Sequence, residues 1–178
     1  LTALYPLQMD VHPDQPGTVY ARLNNEEIYQ GTRGGESWQR LPISRAASVQ
    51  IDPVTSTRIY AGRSGDPAYV YASNDEGQTW TASTPLAKSE AYCDSWTFPW
   101  SLFAVPDQPG TLLVGAQHHC EPLPHPGNLY RSVDYGAHWQ RVYTYTYHAY
   151  EMPIGFAAHP VTPTTLYAAI PNGEDGLM

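Results

Sequence analysis

Residues 73–80 read SNDEGQTW and residues 132–139 read SVDYGAHW, so the pattern Ser-x-Asp-x-Gly-x-x-Trp occurs twice in the chain. Each copy ends nine residues after a tyrosine. A turn carboxylate can accept hydrogen bonds from nearby backbone N–H groups, and the following glycine can adopt a positive φ. The pattern therefore predicts a turn between two strands, with the indole buried where the second strand begins. We assign a structural role to its residues: Ser73, Asp75, Gly77, Trp80, Ser132, Asp134, Gly136 and Trp139.

A longer repeat surrounds these turns. Four segments place a proline and a turn before an apolar strand, with the prolines 40, 53 and 54 residues apart: VHPDQPGTVYA (11–21), IDPVTSTRIYA (51–61), VPDQPGTLLVG (105–115) and AHPVTPTTLYA (158–168). The first is followed by a divergent turn, GTRGGESW (31–38), with Gly31 and Arg33 in place of the Ser and Asp. We expect glycines to hold that turn. Each unit contains four strand-like segments, which we call A to D in chain order.

Four-stranded units repeated at this interval are typical of a β-propeller, and no segment has a sustained helical period. We therefore predict an all-β fold, with one incomplete propeller domain over residues 1–178. The predicted blades are residues 1–43, 44–86 and 87–144, followed by a truncated blade at 145–178. About three and a half blades do not close a ring, so we expect a fragment of a propeller with roughly six to eight blades.

The turn pattern resembles the Asp-box, or BNR, repeat of sialidase-like, sortilin-like and xyloglucanase-like propellers, and the resemblance covers almost the whole chain. Photosystem II assembly factors are built on a similar blade. Such a repeat specifies a scaffold and leaves function open. A sialidase would need an arginine cluster for the substrate carboxylate and an Arg-Ile-Pro motif. That motif is absent from these residues, and the nine basic residues include no obvious cluster on the rim of loops where ligands are expected.

Composition argues against several classes of partner. Seventeen acidic residues against nine basic ones give a net charge of −8, which disfavours binding to nucleic acid or anionic lipid. No apolar run approaches the roughly 20 residues needed to cross a bilayer, so we expect no membrane insertion within this segment. No glycine-rich phosphate loop is present, and we expect no cofactor.

Antiparallel strands would place the A–B and C–D turns at one end of each blade, and the B–C loops and D–A connections at the other. We call the first end the clasp end and the second the loop rim. The loop rim is predicted to contain the B–C loops at 22–27, 63–68 and 116–128, with D–A connections at 85–96 and 143–152. Loops on a rigid frame commonly carry function, so we expect ligands at the loop rim.

Aromatic and histidine side chains are the candidate ligand contacts. Trp96, Phe98 and Trp100 alternate at the start of a strand, and Trp96 is nearest the loops. The alternating Tyr143, Tyr145 and Tyr147 fit either packing between blades or a platform for sugar rings. The candidate ligand-binding residues are Trp96, Tyr147, His148, His118 and His119.

His118, His119, Cys120 and His125 are metal-ligand types at short spacing. Adjacent strand residues point to opposite faces, however, and the spacing matches no familiar zinc pattern. We therefore predict no metal site.

Three acids and two cysteines complete the predicted rim. Glu90, Asp94 and Glu151 are candidates for the paired carboxylates that glycosidic cleavage requires. Cys93 and Cys120 fit either one disulfide between two rim loops or two free thiols.

Taken together, these features favour a non-catalytic binding or scaffold module that recognises a protein or a glycan through its loop rim. The alternative is part of a glycoside hydrolase, either xyloglucanase-like or sialidase-like. We expect an extracellular or periplasmic protein whose signal segment lies outside these residues. The remaining blades of the same chain are expected as packing partners.

Overall fold

The computed structural model describes residues 3–87, 96–119, 125–147, 155–162 and 164–170. The first sheet, blade 1, contains β1 (Pro6–Val11), β2 (Val19–Leu23), β3 (Glu27–Thr32) and β4 (Ser37–Ser44). Blade 2 contains β5 (Ala46–Ile51), β6 (Ile59–Arg63), β7 (Tyr69–Ser73) and β8 (Thr81–Ala82). Blade 3 contains β9 (Thr97–Ala104), β10 (Leu112–His118), β11 (His125–Ser132) and β12 (Gln140–Tyr147). A further pair is formed by β13 (Gly155–Ala158) and β14 (Leu166–Ala169).

Each blade is an antiparallel meander in which sequential strands are neighbours, and β13 pairs with β14 in the same way. Apart from a short 3-10 turn at Arg33–Gly35, every regular element of the described residues is a strand. The prediction of an all-β fold built from four-stranded propeller blades is confirmed.

The apolar core lies between the blades. One cluster joins Tyr20, Ile28 and Leu41 of blade 1 to residues of β5 and β6, and Trp80 packs against it. A second cluster joins blade 2 to blade 3, and Trp139 packs against it. Both indoles are thus partly buried beside the hairpin, rather than fully buried, and each also faces the preceding blade.

Polar side chains join the inner strands of successive blades. The Gln8 amide donates to the Val49 carbonyl at 2.8 Å and accepts from the Val49 N–H at 3.0 Å. Asp10 accepts from the Ile51 N–H at 2.7 Å, and Ser48 donates to the Pro99 carbonyl at 2.7 Å. These bonds satisfy backbone groups on the edge of an inner strand, which would otherwise need water or a pairing strand.

The turn of blade 2 has the predicted arrangement. Ser73 Oγ donates to Asp75 at 2.7 Å and accepts from the Gly77 N–H at 2.8 Å. Asp75 also accepts from the Thr79 N–H at 2.8 Å and the Thr79 hydroxyl at 2.6 Å. Gly77 has φ +90°, a conformation that side chains rarely adopt.

The turn of blade 3 repeats this arrangement. Ser132 Oγ donates to Asp134 at 2.8 Å and accepts from the Gly136 N–H at 2.9 Å. The His138 N–H donates to Asp134 at 3.0 Å, and the His138 ring lies 2.7 Å from the same carboxylate. We call these two turns the Ser-Asp clasps.

The divergent turn of blade 1 depends on glycine, as predicted. Gly34 and Gly35 have φ of +71° and +93°, and the Trp38 indole donates to the Gly35 carbonyl at 3.0 Å. In all three blades, a C–D turn N–H donates to an A–B turn carbonyl at 3.0 Å: Gly34 to Gly17, Glu76 to Thr57 and Tyr135 to Gly110. The predicted clasp end is therefore confirmed.

A second hydrogen-bonded turn motif lies at the clasp end, and the sequence analysis did not predict it. The residue before the repeated proline accepts two backbone N–H groups of the A–B turn in three of the units. His12 accepts from residues 14 and 15, Asp52 from residues 54 and 55, and His159 from residues 161 and 162. The sequence signal was present as the aligned HP, DP and HP pairs.

Gly77→Ala should cost more stability than Gly34→Ala. Both glycines have positive φ, which costs about 1–2 kcal/mol for a residue with a Cβ. A Cβ at Gly77 would also lie 2.6 Å from Leu41 Cδ1 of blade 1, whereas Gly34 has nothing within 4 Å. In urea unfolding, we expect Gly77→Ala to lower the free energy of unfolding by roughly 1–3 kcal/mol more than Gly34→Ala does. Equal losses would contradict the packing of this clasp against blade 1.

Replacing Asp75 and Asp134 by Asn should make the free energy of unfolding less sensitive to a fall in pH. Hydrogen bonds from Thr79 and Ser73 lower the pKa of Asp75 to about 2, and bonds led by the His138 N–H lower the pKa of Asp134 to about 2. Their stabilisation is therefore complete above the ordinary value of 3.8 and is lost as the pH falls through about 2.

Urea unfolding at pH 7 and at pH 2.5 tests this. The double variant should be less stable than the parent at pH 7, and the difference should shrink at pH 2.5. Asp14→Asn is the control, because it removes an exposed carboxylate that accepts no hydrogen bond from the described residues. If the difference in stability between the double variant and the parent were the same at both pH values, the stabilising role of the two carboxylates in the clasps would be contradicted.

Candidate functional site

Among the described residues, segments that were predicted to form the loop rim contact one another. The Ser64 N–H donates to the Arg45 carbonyl at 2.9 Å, joining a B–C loop to a D–A connection. Gly65 and Thr97 exchange two backbone hydrogen bonds, and the His119 N–H donates to the Trp96 carbonyl at 3.0 Å. Elements of blades 2 and 3 therefore meet at one end, opposite the Ser-Asp clasps.

A row of three aromatic rings leads inward from this rim. The Trp96 and Phe98 ring centroids are 6.3 Å apart, and Phe98 stacks on Trp100 at 5.3 Å. Trp96 is 42% exposed, and the other two rings are half-buried. The Trp100 indole donates to the Gln117 side chain at 3.0 Å, which orients that ring. We call Trp96, Phe98 and Trp100 the aromatic row.

Two guanidinium groups lie over the ends of the aromatic row. Arg45 Cζ is 4.9 Å from the Trp96 ring centroid, and Arg22 Cζ is 5.6 Å from that of Trp100. Both distances fall within the range of a cation–π interaction. A third arginine lies nearby in space: Arg63 Nε donates to the carbonyl of Ser44, the residue before Arg45, at 3.3 Å.

This arrangement corrects the sequence analysis, which found no cluster of basic residues. Arg22 donates to the Ala46 carbonyl at 3.4 Å, so Arg22 and Arg63 bind the carbonyls on either side of Arg45. The available signal was that the first two B–C loops, RLNNEE and RSGDPA, both begin with arginine. The position of Arg45, in the connection between β4 and β5, gave no such signal.

Arg22 is the most buried of the three arginines. Its side chain is 5% exposed, and its Nε has no hydrogen-bond partner within the described part of the chain. Burial lowers the pKa of Arg22, while the charge of Glu26 acts in the opposite direction. A guanidinium remains protonated even so, and Arg22 therefore brings a partly desolvated positive charge to the site.

His118 lies in the core rather than on the rim surface. It is fully buried; its Nδ1 is 2.7 Å from Thr97 Oγ1, and its Nε2 contacts the Asn128 amide and the Tyr130 hydroxyl. The alternation of strand residues had placed His118 and His119 on opposite faces, but did not show which one faced inward.

The other predicted site residues are only partly described. His119 is half-buried just beyond β10, and the backbone of Tyr147 pairs with that of His125 at the end of β12. Tyr145 lies over Gly127, and burial, aided by Tyr130, raises its pKa to about 12. Six predicted residues lie outside the described residues: Glu90, Cys93, Asp94, Cys120, His148 and Glu151.

No group of three or more His, Cys, Asp or Glu side chains in the described ranges could hold a metal ion, and no helix there is long and apolar enough to span a bilayer.

An apolar recess of about 300 Å³ lies on blade 1, lined by Pro6, Met9, Ala21, Leu23, Tyr29 and Trp38. Polar groups hardly contribute to its surface, which is unlike a typical ligand site. Trp38 holds the position in blade 1 that Trp80 and Trp139 hold in the cores between blades. The recess therefore resembles an interface between blades.

Comparisons with known proteins found one curated relative and several similar solved structures. No family model matches the chain. Over 142 residues the sequence is 26% identical to a xyloglucanase of Paenibacillus sp., an alignment that covers 72% of this chain and 13% of the relative. The chain thus matches only a small part of that enzyme.

The solved structures that are similar to the chain include a xyloglucanase and a complex of YCF48. The GH74 xyloglucanase from Xanthomonas campestris has a TM-score of 0.52 and 20% identity, over 78% of this chain and 22% of the enzyme. A structure of YCF48 bound to D1 peptide has a TM-score of 0.48 and 18% identity, over 78% of this chain and 42% of that one. At this identity, the likeness to the Xanthomonas enzyme shows a shared fold.

Proposed function

We propose that this chain forms the glycan-binding part of a β-propeller and binds sugar rings at its loop rim without cleaving them. The observation that carries the proposal is the exposed Trp96 at the rim, continued inward by Phe98 and Trp100. An aromatic ring offers a flat apolar face to the C–H groups of a sugar, and an indole offers the largest such face.

The neighbouring groups suit this role. Arg45 orders the Trp96 ring from one side, and the strand pairing between Gly65 and Thr97 fixes the backbone beside it. A ring held in this way loses little conformational freedom on binding, which favours affinity. The similarity to a xyloglucanase supports a polysaccharide as the ligand.

The finer family assignment belongs to the same proposal. We assign the Ser-Asp clasps to the Asp-box, or BNR, type, on the support of their repeated hydrogen bonds. We also propose that residues 1–178 belong to one propeller domain of an exported protein, on the support of the similarity to a xyloglucanase.

The second candidate is a catalytic part of a xyloglucanase-like glycoside hydrolase. The xyloglucanase relative favours it. Glu90, Asp94 and Glu151 are the acids we would assign to such a reaction, one as general acid and another as base or nucleophile.

Trp96→Ala should abolish most of the affinity for a xyloglucan oligosaccharide. Removing a stacked indole should weaken binding by about tenfold or more, as measured by isothermal titration calorimetry. Trp38→Ala is the matched control, because Trp38 is similarly exposed at 47% but lies on the outer strand of blade 1. Equal affinity of the Trp96 variant and the parent would contradict the proposal.

Incubating the same protein with the oligosaccharide distinguishes the binding module from the hydrolase. A binding module should leave the oligosaccharide intact, whereas a hydrolase should release reducing ends at a rate that falls in Glu90→Gln, Asp94→Asn or Glu151→Gln. Such turnover would replace the binding proposal with the enzymatic one.

A further inference from the structure

Arg22 occupies a position of the repeat at which the other units have small residues. It follows Pro13 by nine residues, and the residues nine places after the other three repeated prolines are Gly62, Gly115 and Ala169. In blade 2, a Cβ at Gly62 would lie 2.5 Å from Ser48 Oγ and 2.6 Å from the Pro99 carbonyl oxygen. The approach of blade 3 leaves no room for a side chain there, whereas blade 1 places a long cationic one at the same position.

The Arg22 side chain extends from β2 of blade 1, past blade 2, to blade 3. It donates to the carbonyl of Ala46, the first residue of β5, at 3.4 Å. Its Cζ lies 5.6 Å from the ring centroid of Trp100 on β9. Only 5% of Arg22 is exposed, so a single buried side chain connects three successive blades.

Arg22 makes few hydrogen bonds for a buried guanidinium. A guanidinium has five N–H donors, yet Arg22 donates one bond, to Ala46, and its Nε is buried without a partner among the described residues. A buried donor without a partner is unfavourable, and an apolar side chain of similar length would avoid this cost. The contact that requires the charge is the one with Trp100, since a desolvated cation is attracted more strongly to an aromatic face.

Trp100 is held from two blades. Its indole N–H donates to Gln117 of the same blade at 3.0 Å, and the Arg22 guanidinium of blade 1 lies over its ring. Phe98 stacks on Trp100 with the two planes 11° apart, and Trp96 follows Phe98 at a tilt of 31°. The orientation of Trp100 therefore constrains the two rings that lead out to the loop rim.

We propose that Arg22 is a positioning residue for the aromatic row: from blade 1 it fixes the Trp100 ring, and through Trp100 and Phe98 it sets the orientation of the exposed Trp96. Because Arg22 is buried, it acts through Trp100 and does not contact the sugar itself. This inference rests on the proposed glycan binding and adds that blade 1 determines the geometry of a binding surface carried by blade 3.

The first test measures the affinity for a xyloglucan oligosaccharide by calorimetry. Arg22→Met keeps the length of the side chain and removes its charge, and it should weaken binding about threefold to tenfold, because a loosely held ring must be ordered on binding. Arg22→Lys restores a cation at the ring and should recover most of the affinity. Thermal unfolding verifies that each variant is folded.

Arg63→Met is the matched control. Arg63 makes the same two kinds of contact outside the aromatic row: its Cζ lies 5.7 Å from the Tyr71 ring centroid, and it donates to the Ser44 carbonyl at 3.3 Å. Its replacement should leave the affinity at the parent value.

The second test observes Trp100 without any sugar. The five tryptophans are labelled with 5-fluorotryptophan, and the fluorine signal of Trp100 is assigned by its loss in Trp100→Phe. Arg22→Met should shift or broaden this signal, Arg22→Lys should largely restore it, and Arg63→Met should not affect it. A loss of stability alone would not produce this selective change.

The outcomes distinguish this inference from the proposed function. If Arg22→Met binds the oligosaccharide as the parent does, the inference is overturned and glycan binding stands, whether or not the Trp100 signal moves. A loss of affinity that is equally large in the Trp100→Phe background would also overturn it, because Arg22 would then act by another route. If the parent binds no oligosaccharide, the proposed function fails, and an unmoved Trp100 signal in Arg22→Met would overturn the positioning role as well.

Discussion

Each sheet of this protein can bury its apolar face only against the next sheet. Tyr20, Ile28 and Leu41 have no core within their own blade, and they pack on strands β5 and β6 of blade 2. The interface must also satisfy the polar edges of the inner strands, which Gln8 and Asp10 do by bonding to the backbone of Val49 and Ile51. Packing and hydrogen bonding therefore set the same spacing between blades.

That spacing determines where the loops meet. Once the A–B and C–D turns hold one end of each blade, the B–C loops and D–A connections must converge at the other. Arg22 of blade 1 then reaches the Trp100 ring of blade 3, although the two are far apart in the chain. The candidate site is thus a product of blade packing, because no single blade contains both its aromatic row and its arginines.

The sequence predicted the structure best where it depends on hydrogen bonds between residues that are close in the chain. The clasps could be predicted because their hydrogen bonds join residues at most four positions apart, and the glycines mark where positive φ is needed. Strand number and order followed from the repeat. The arginine cluster could not be predicted, since it depends on the positions of strands β2 and β6 and of the connection between β4 and β5. His118 was misjudged for a related reason: alternation separates two faces but does not show which one is buried.

The central claim is that the loop rim binds a glycan, and hydrogen–deuterium exchange with and without a saturating xyloglucan oligosaccharide tests it most directly. We predict slower exchange in peptides that cover residues 44–46, 63–65 and 96–100, with no change at the clasps in 73–80 and 132–139. Protection confined to the clasps, or to the recess on blade 1, would contradict the claim.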